Sequence, residues 1–149
     1  LIVNLITFRP GQKLLVASST GDGFIVTHDD VVAQTKSGKQ ILNTKREAVA
    51  KVCHNICGDH VAVVGENRKD LIFPKSEIPQ MVRGKGVRLQ KYKDGGLSDI
   101  TTFNLSEGLT WLDPAGRTRS ETYLEDWTGK RATAGRMAPR GFPKNNKFI

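Results

Sequence analysis

The sequence predicts an all-β protein that is built from repeated antiparallel hairpins. Three segments, starting at Leu14, His60 and Leu109, each have a short apolar run, a turn and a second short run. Corresponding residues recur about 47–48 positions apart, a period typical of propeller-like or solenoid arrays. No amphipathic helix longer than about two turns is evident. We therefore expect blades of antiparallel strands that bury their faces against neighbouring blades.

The three hairpins have the same spacing across their turns. The first strands are predicted at 14–17, 61–64 and 109–112, and the second strands at 24–26, 71–73 and 117–121. Three pairs of residues, Val16 and Phe24, Val63 and Leu71, and Trp111 and Arg119, are each eight positions apart, which supports the repeat. The third turn, Asp113-Pro114-Ala115-Gly116, has the residues that a type I turn favours.

Each hairpin is followed by a short acidic segment and then by a basic loop that contains glycine. The acidic segments, 27–30, 76–78 and 121–126, are predicted to be capped helical turns or tight corners. The loops read TKSGKQIL, VRGKGVRL and TAGRMAP, and the most basic stretch, RGKGVRLQKYKDGG, contains much of the second.

We predict a single domain over residues 1–149. Its repeats span about 14–42, 60–89 and 109–139, and a basic tail covers 140–149. Residues 1–8, LIVNLITF, are predicted to form a strand, and they lack the basic region and cleavage site of a signal peptide. Because no initiator Met is present, we expect the chain to be part of a longer protein.

The charge is strongly positive and unevenly distributed. Lys and Arg number 23 against 15 acidic residues, a formal net charge of +8. No acidic residue follows Asp126, whereas six basic residues do: Lys130, Arg131, Arg136, Arg140, Lys144 and Lys147. This pattern favours a polyanionic partner, with nucleic acid ahead of an anionic membrane surface. No apolar run is long enough to cross a bilayer, and no membrane partner is expected.

Basic loops that recur with each blade would space positive charge along a curved edge. Lys and Arg neutralise phosphates, and glycines let the backbone approach them closely. This arrangement suits recognition of the backbone and shape of double-stranded DNA. The candidate DNA-binding residues are Lys36, Lys39, Arg83, Lys85, Arg88, Lys91, Lys93, Arg117, Arg119, Arg131 and Arg136.

Two other classes of binding protein remain open. The chain could be a propeller-like protein-interaction module whose basic edge binds an acidic protein, or a basic RNA-binding β domain. Only 7% of the residues are aromatic, and none lies in a run suited to base stacking, so binding of single strands is not expected.

No catalytic or metal site is predicted in this chain. Gly84-Lys85-Gly86 does not fit a phosphate-binding loop of the GxxxxGK[ST] type, and Tyr92 and Tyr123 both lie in blade-type sequence. Cys53 and Cys57, in CHNICGDH, do not have a common zinc spacing. We expect both to be buried or half-buried free thiols in a reducing cytosol.

Several long stretches resemble one protein family. GDHVAVVGENRKDLIFPKSEIPQMVRGKGVRLQKYKDGGLSD, LTWLDPAGRTRSE and GRMAPRGFPKNNKF resemble the C-terminal domain of the A subunit of bacterial topoisomerase IV, to which a domain of the gyrase A subunit is related. The resemblance covers essentially the whole chain. It implies a β-pinwheel, a propeller-like ring of four-stranded antiparallel blades that exchange strands with their neighbours. This chain has room for about three blades of a larger ring.

The resemblance also implies a function. The family's domain is non-catalytic, binds and bends double-stranded DNA on its basic outer edge, and presents the transported segment to the catalytic core for decatenation and supercoil relaxation. The implied enzyme is an ATP-dependent type IIA topoisomerase, an A2B2 heterotetramer in which an ATPase subunit joins the A subunit. ATP and magnesium would be bound outside this chain, which needs no cofactor of its own. The implied location is cytoplasmic and nucleoid-associated.

One motif separates the two branches of the family. The gyrase A subunit has the heptad QRRGGKG, whereas residues 80–86 read QMVRGKG. Met81 and Val82 replace the two arginines, and Arg83 stands where gyrase has Gly. The departure favours the topoisomerase IV mode, which bends DNA without introducing negative supercoils. Gyrase-type wrapping remains the alternative.

Overall fold

A computed structural model of the protein describes residues 11–31 and 50–148, without the side chains of 50–53. The strand predicted at 1–8 lies outside the described residues, as do Lys36, Lys39 and the first basic loop. Within the described residues, no helix is long and apolar enough to span a membrane.

The first two sheets each have four antiparallel strands. In the first sheet the order is β3-β1-β2-β6. Its strands are β1 Lys13–Ser18, β2 Asp22–Thr27, β3 Ala50–Asn55 and β6 Val87–Arg88. In the second sheet the order is β10-β5-β4-β7. Its strands are β4 His60–Gly65, β5 Lys69–Pro74, β7 Leu97–Phe103 and β10 Arg136–Met137. A 3-10 helix, Lys75–Glu77, follows β5.

The third sheet has two strands in the described part of the chain, β8 Leu109–Leu112 and β9 Thr118–Glu121. The Leu112 N–H donates a hydrogen bond of 3.1 Å to the Phe148 carbonyl oxygen. The segment near Phe148 therefore lies against β8. The segment that follows β9 supplies β10 to the second sheet instead of a further strand to the third.

Strand exchange links consecutive hairpins. β6 follows the β4–β5 hairpin but completes the first sheet, and β10 follows the β8–β9 hairpin but completes the second. A glycine with positive φ precedes each exchanged strand, Gly86 at 83° and Gly135 at 79°. A Cβ at Gly86 would collide with the Gly23 carbonyl oxygen, and one at Gly135 with the Asp70 carbonyl oxygen. The second and third segments predicted as basic loops thus contain the outer strands, and their glycines allow close backbone crossing.

The three predicted hairpins are confirmed. Cα partners include Val16 with Phe24, Val63 with Leu71, and Trp111 with Arg119. The turn from Asp113 to Gly116 closes with a hydrogen bond from the Gly116 N–H to the Asp113 carbonyl oxygen, 2.9 Å. The predicted cap after the first hairpin is also present, since the Asp30 N–H donates to the Thr27 hydroxyl oxygen at 3.1 Å.

The middle sheet is buried on both faces. Alternation along β4 sends Val61 and Val63 to a core shared with the first sheet, and Ala62 and Val64 to a core shared with the third. Phe73 and Trp111 are buried in these two cores, one in each, and both are at most 4% exposed. Phe142 and Phe148 are buried in the second of these cores. The segment predicted as a basic tail is thus packed onto the sheets.

The cysteine prediction is wrong for Cys57. Strand β3 ends at Asn55, before Cys57, and the Cys57 thiol is free and exposed instead of buried or half-buried. The side chain of Cys53 lies outside the described set. No group of three or more potential metal ligands is found within 11–31 and 50–148.

Candidate nucleic-acid interface

The exchanged strands lie at one edge of their sheets. The strands at the other edge, β3 and β7, contact each other. Just beyond β3, the Cys57 N–H donates a hydrogen bond of 2.8 Å to the hydroxyl oxygen of Thr102 on β7. Because β3 and β7 face one another, β6 and β10 are on the edges that point away from this contact. We call these the outer edges.

The outer edge of the first sheet has exposed cations above a buried carboxylate. Arg88 on β6 is the Cα partner of Asp22 on β2, and the Lys85 ammonium lies 4.0 Å from Asp22 Oδ2. The Lys85 side chain is 44% exposed, whereas that of Asp22 is 8% exposed. Arg83 and Lys91 are exposed on the same segment. The buried Asp22 carboxylate partly compensates the charge of Lys85, while the exposed surface of this edge remains cationic.

Arg131 has a different place from the other candidate cations. Its Nη1 donates to the Arg88 carbonyl oxygen at 2.7 Å, and its backbone N–H donates to Glu77 Oε1 at 2.9 Å. Backbone bonds between Ala132 and Leu89, and between Lys91 and Thr133, continue this contact. Arg131 thus braces the segment after β9 against the segment after β6, while adjacent Lys130 is exposed.

Lys93 lies in an exposed turn beside a half-buried tyrosine, Tyr92. The Tyr92 ring occupies the space where Gly21 and Gly65 would carry Cβ atoms. Burial, and then the negative charges of Asp22 and Glu66, raise the pKa of Tyr92, so its hydroxyl remains protonated. Tyr92 thus packs beside Gly21 and Gly65, and Lys93 extends into solvent next to it.

The outer edge of the second sheet repeats the arrangement with a different acid. Arg136 on β10 is the Cα partner of Asp70 on β5 and is exposed, whereas Asp70 is fully buried. Neither carboxylate oxygen of Asp70 has a hydrogen-bond partner among the described residues. Burial raises the pKa of Asp70 to about 8, although Arg68 opposes the shift. At neutral pH this carboxyl is therefore mostly protonated and adds little negative charge to the edge.

The tip of the β8–β9 hairpin carries the last two candidates. The side chains of Arg117 and Arg119 are 73% and 53% exposed, and both reach Asp113, whose side chain is 3% exposed. Backbone N–H donation from Arg117, followed by the charge of its guanidinium, holds the pKa of Asp113 below its usual range, despite an opposing desolvation effect. This tip has two outward cations over one ionised carboxylate.

The two outer edges and the β8–β9 tip share one pattern of burial, although their acids differ in charge. Their acidic residues, Asp22, Asp70 and Asp113, are buried, whereas the neighbouring cations are exposed. Sequence reasoning identified most of the cations but did not select Lys69, Lys130 or Arg140. Lys69 lines a groove with Arg136 and Trp127, and Arg140 comes directly after Pro139 in the sequence. The signal that could have identified these three residues was their closeness in the sequence to the selected candidates.

Comparisons with known proteins agree with the resemblance inferred from the sequence. No protein-family model matches the chain. The chain is 44% identical over 147 residues to the A subunit of DNA topoisomerase 4 from Caulobacter vibrioides and 46% identical over 147 residues to that from Rickettsia conorii. Each match covers 99% of this chain but only 19% and 20% of those proteins, so the chain spans about a fifth of the length of the curated relatives it matches.

Solved structures agree on the fold. The Escherichia coli ParC C-terminal domain has a TM-score of 0.73 and 26% identity, with 89% of this chain and 58% of that one covered. A gyrase A C-terminal domain has a TM-score of 0.65 and 14% identity, with 86% and 47% covered. The predicted resemblance and the β-pinwheel fold class are confirmed: this is the fold of the C-terminal domains of the topoisomerase IV and gyrase A subunits.

Proposed function

We propose that this chain is a non-catalytic domain of a topoisomerase IV A subunit that binds and bends double-stranded DNA. The observation that carries the proposal is the arrangement of the outer edge, where exposed cations lie above buried acids. Such an edge attracts phosphates along its length, and its cations are not neutralised at the surface. Similarity to proteins named as the A subunit of topoisomerase 4 gives independent support.

Recognition would occur mainly through the DNA backbone. The candidate cations that the structure describes lie on short strands, turns and irregular segments, and none of them is on a helix that could enter a groove. The described surface has no row of exposed aromatic side chains on which bases could stack. Binding along the curved succession of sheets would bend the duplex and present it to the catalytic core of the longer protein for strand passage. The ATPase subunit, the A2B2 assembly, ATP and magnesium belong to that larger enzyme in this proposal, which acts in the cytoplasm on the nucleoid.

The first test measures affinity for a fluorescent duplex between about 50 and 200 mM salt. We expect log K to fall linearly with log salt, since each neutralised phosphate releases counterions at about 0.9 per contact. The double variant Lys85→Ala/Arg88→Ala should bind every duplex sequence more weakly and lower the slope by about 1.8. The Arg88 backbone carbonyl oxygen accepts a hydrogen bond from Arg131, and alanine retains that acceptor.

The matched control is Lys13→Ala/Lys75→Ala, which removes two positive charges from β1 and the 3-10 helix instead of from the segments that carry β6 and β10. It should change the slope much less. Equal loss in both variants would contradict an outer-edge site. Absence of duplex binding by the unaltered chain at low salt, together with binding to an acidic polypeptide, would instead favour the protein-interaction module.

Bending is separated from gyrase-type wrapping by topology. Fluorescence transfer between the ends of a duplex should increase on binding, because a bent duplex brings its ends closer. Nicked plasmid that is sealed in the presence of the chain should retain an unchanged linking number. A trapped change in linking number would support the wrapping alternative. In the longer protein, assembled with its ATPase subunit, the Lys85→Ala/Arg88→Ala variant should slow decatenation.

A further inference from the structure

Two arginines at the β8–β9 tip share one carboxylate oxygen. Nε of Arg117 donates to Asp113 Oδ2 at 3.1 Å, and Nε of Arg119 forms an ion pair with the same oxygen at 3.5 Å. The carboxylate is nearly inaccessible, whereas most of each arginine side chain is exposed. One buried anion therefore restrains two surface cations.

The other oxygen of Asp113 fixes the carboxylate to the turn. Oδ1 accepts the backbone N–H groups of Ala115 at 3.0 Å and Arg117 at 2.9 Å. The Asp113 N–H in turn donates to the Arg117 carbonyl oxygen at 2.9 Å. Because one oxygen holds the turn and the other holds the guanidiniums, the orientation of the carboxylate is set before any ligand arrives.

Engagement through Nε leaves the outer part of each guanidinium available. Across the part of the chain that the structure describes, the Nη atoms of Arg117 and Arg119 have no hydrogen-bond partner. Nη2 of Arg119 passes beside Gly141, where an added Cβ would lie 3.5 Å away. Two planar donor groups thus face outward, and such groups bind phosphate oxygens in pairs.

We propose that Asp113 is a positioning residue that holds Arg117 and Arg119 as a two-pronged site for neighbouring phosphates of duplex DNA. The inference rests on the proposed function. A free surface arginine loses rotamer freedom when it binds, and a tethered one has lost much of that freedom already. The negative charge of Asp113 weakens the local attraction for phosphate. In this proposal, the gain from holding the two arginines in place is larger than that loss.

The decisive variant is Asp113→Asn, because charge and geometry predict opposite results. Asparagine retains Oδ1 for the turn, but it places an amide donor where Oδ2 accepts a hydrogen bond from Arg117 and forms an ion pair with Arg119. Loss of a negative charge alone would tighten DNA binding. Loss of the restraint should weaken it, by about three- to tenfold. Glu107→Gln is the matched control, since Glu107 is an exposed carboxylate whose side chain has no partner in the described structure. It should bind as well as the parent or slightly tighter.

A second variant, Arg117→Lys/Arg119→Lys, keeps both charges and removes the planar forks. It should weaken binding to a similar extent, whereas Arg117→Gln/Arg119→Gln should also lower the salt slope by about 1.8. The Hε protons of Arg117 and Arg119, followed by NMR, should exchange with water slowly in the parent and rapidly in Asp113→Asn. Thermal melting checks that each variant is folded.

The outcomes separate this inference from the function on which it rests. If folded Asp113→Asn binds duplex DNA as tightly as the parent or more tightly, the positioning role is wrong and DNA binding stands. If Asp113→Asn does not fold, the lysine pair decides, and unchanged affinity overturns the positioning role. If the parent shows no salt-dependent duplex binding, both proposals fail.

Discussion

Two strand-exchange junctions use the same backbone device with different electrostatics. In the first junction β6 joins β2 after Gly86, and in the second β10 joins β5 after Gly135. The carbonyl that each glycine approaches belongs to Gly23 in the first junction and to Asp70 in the second. The second junction therefore carries a carboxyl where the first has no side chain.

The difference changes how each junction accommodates its acid. Asp22 in the first junction lies near Lys85, so its charge is compensated. Asp70 lies across from Val64, which belongs to the core shared with the third sheet, and its carboxylate has no hydrogen-bond partner in the described residues. It is neutralised by protonation instead. The glycine crossing is thus the common structural requirement, and the surrounding charges can vary.

The largest expected effect comes from the shared glycine. Gly86→Ala should destabilise the fold by about 2–5 kcal/mol, through strain at positive φ and collision with the Gly23 carbonyl oxygen. Gly116→Ala is a matched control, because Gly116 also has a φ of 83° but nothing lies within 4 Å of an added Cβ. Urea denaturation measures both variants. Equal losses would mean that close crossing does not constrain the junction.

The second largest effect concerns Asp70 in the second junction and the pH dependence of stability. The folded-state pKa of Asp70 is about 8, above the ordinary value of 3.8, so the folded state binds more protons between these pH values. The contribution of Asp70 to stability should therefore be fully present below about pH 4 and be lost as pH rises to about 8. Asp70→Asn should flatten this fall, which for Asp70 is on the order of a few kcal/mol.

Denaturant unfolding at several pH values would reveal this difference. Asp94→Asn removes an exposed carboxylate with the same change in charge and controls for net charge. Parallel pH profiles for Asp70→Asn and the parent would show that Asp70 is not buried without a partner.

The smallest expected effect on stability concerns the first junction. Lys85→Ala should cost at most about 1 kcal/mol, because the ammonium is 4.0 Å from Asp22 and 44% of the side chain is exposed. If Lys85 contacts a phosphate, the same variant should lower the salt slope of duplex binding by about 0.9. A large loss of stability with an unchanged slope would reverse these roles and make Lys85 a structural residue.

Local features of the sequence predicted much of the fold. Short apolar runs on either side of turn residues identified the three hairpins, because hairpin formation depends on residues that are close in the sequence. Strand exchange was implied by the family resemblance but not by the pattern around Gly86, which indicated a loop. Its pairing partner is more than sixty residues earlier in the chain, so no local signal specifies it.

The candidate interface was less predictable than the fold. Composition indicated where cations concentrate, but whether a cation binds backbone or faces solvent depends on tertiary contacts. Arg131 was selected with the other candidates, yet its guanidinium caps a carbonyl on another repeat. Asp113 was recognised for its turn, whereas its contacts with Arg117 and Arg119 emerged only from the folded hairpin.

Strand exchange also sets an order of events during synthesis. When β2 leaves the ribosome, the strand that will cover its outer edge has not yet been made, since β6 comes after the whole of the next hairpin. An uncovered strand edge can pair with another chain. Nascent copies on one messenger are therefore most exposed to intermolecular pairing in the interval before Val87 and Arg88 emerge. Each exchanged strand covers the outer edge of the preceding sheet only after the next hairpin has been made, and the exposure of that edge then ends.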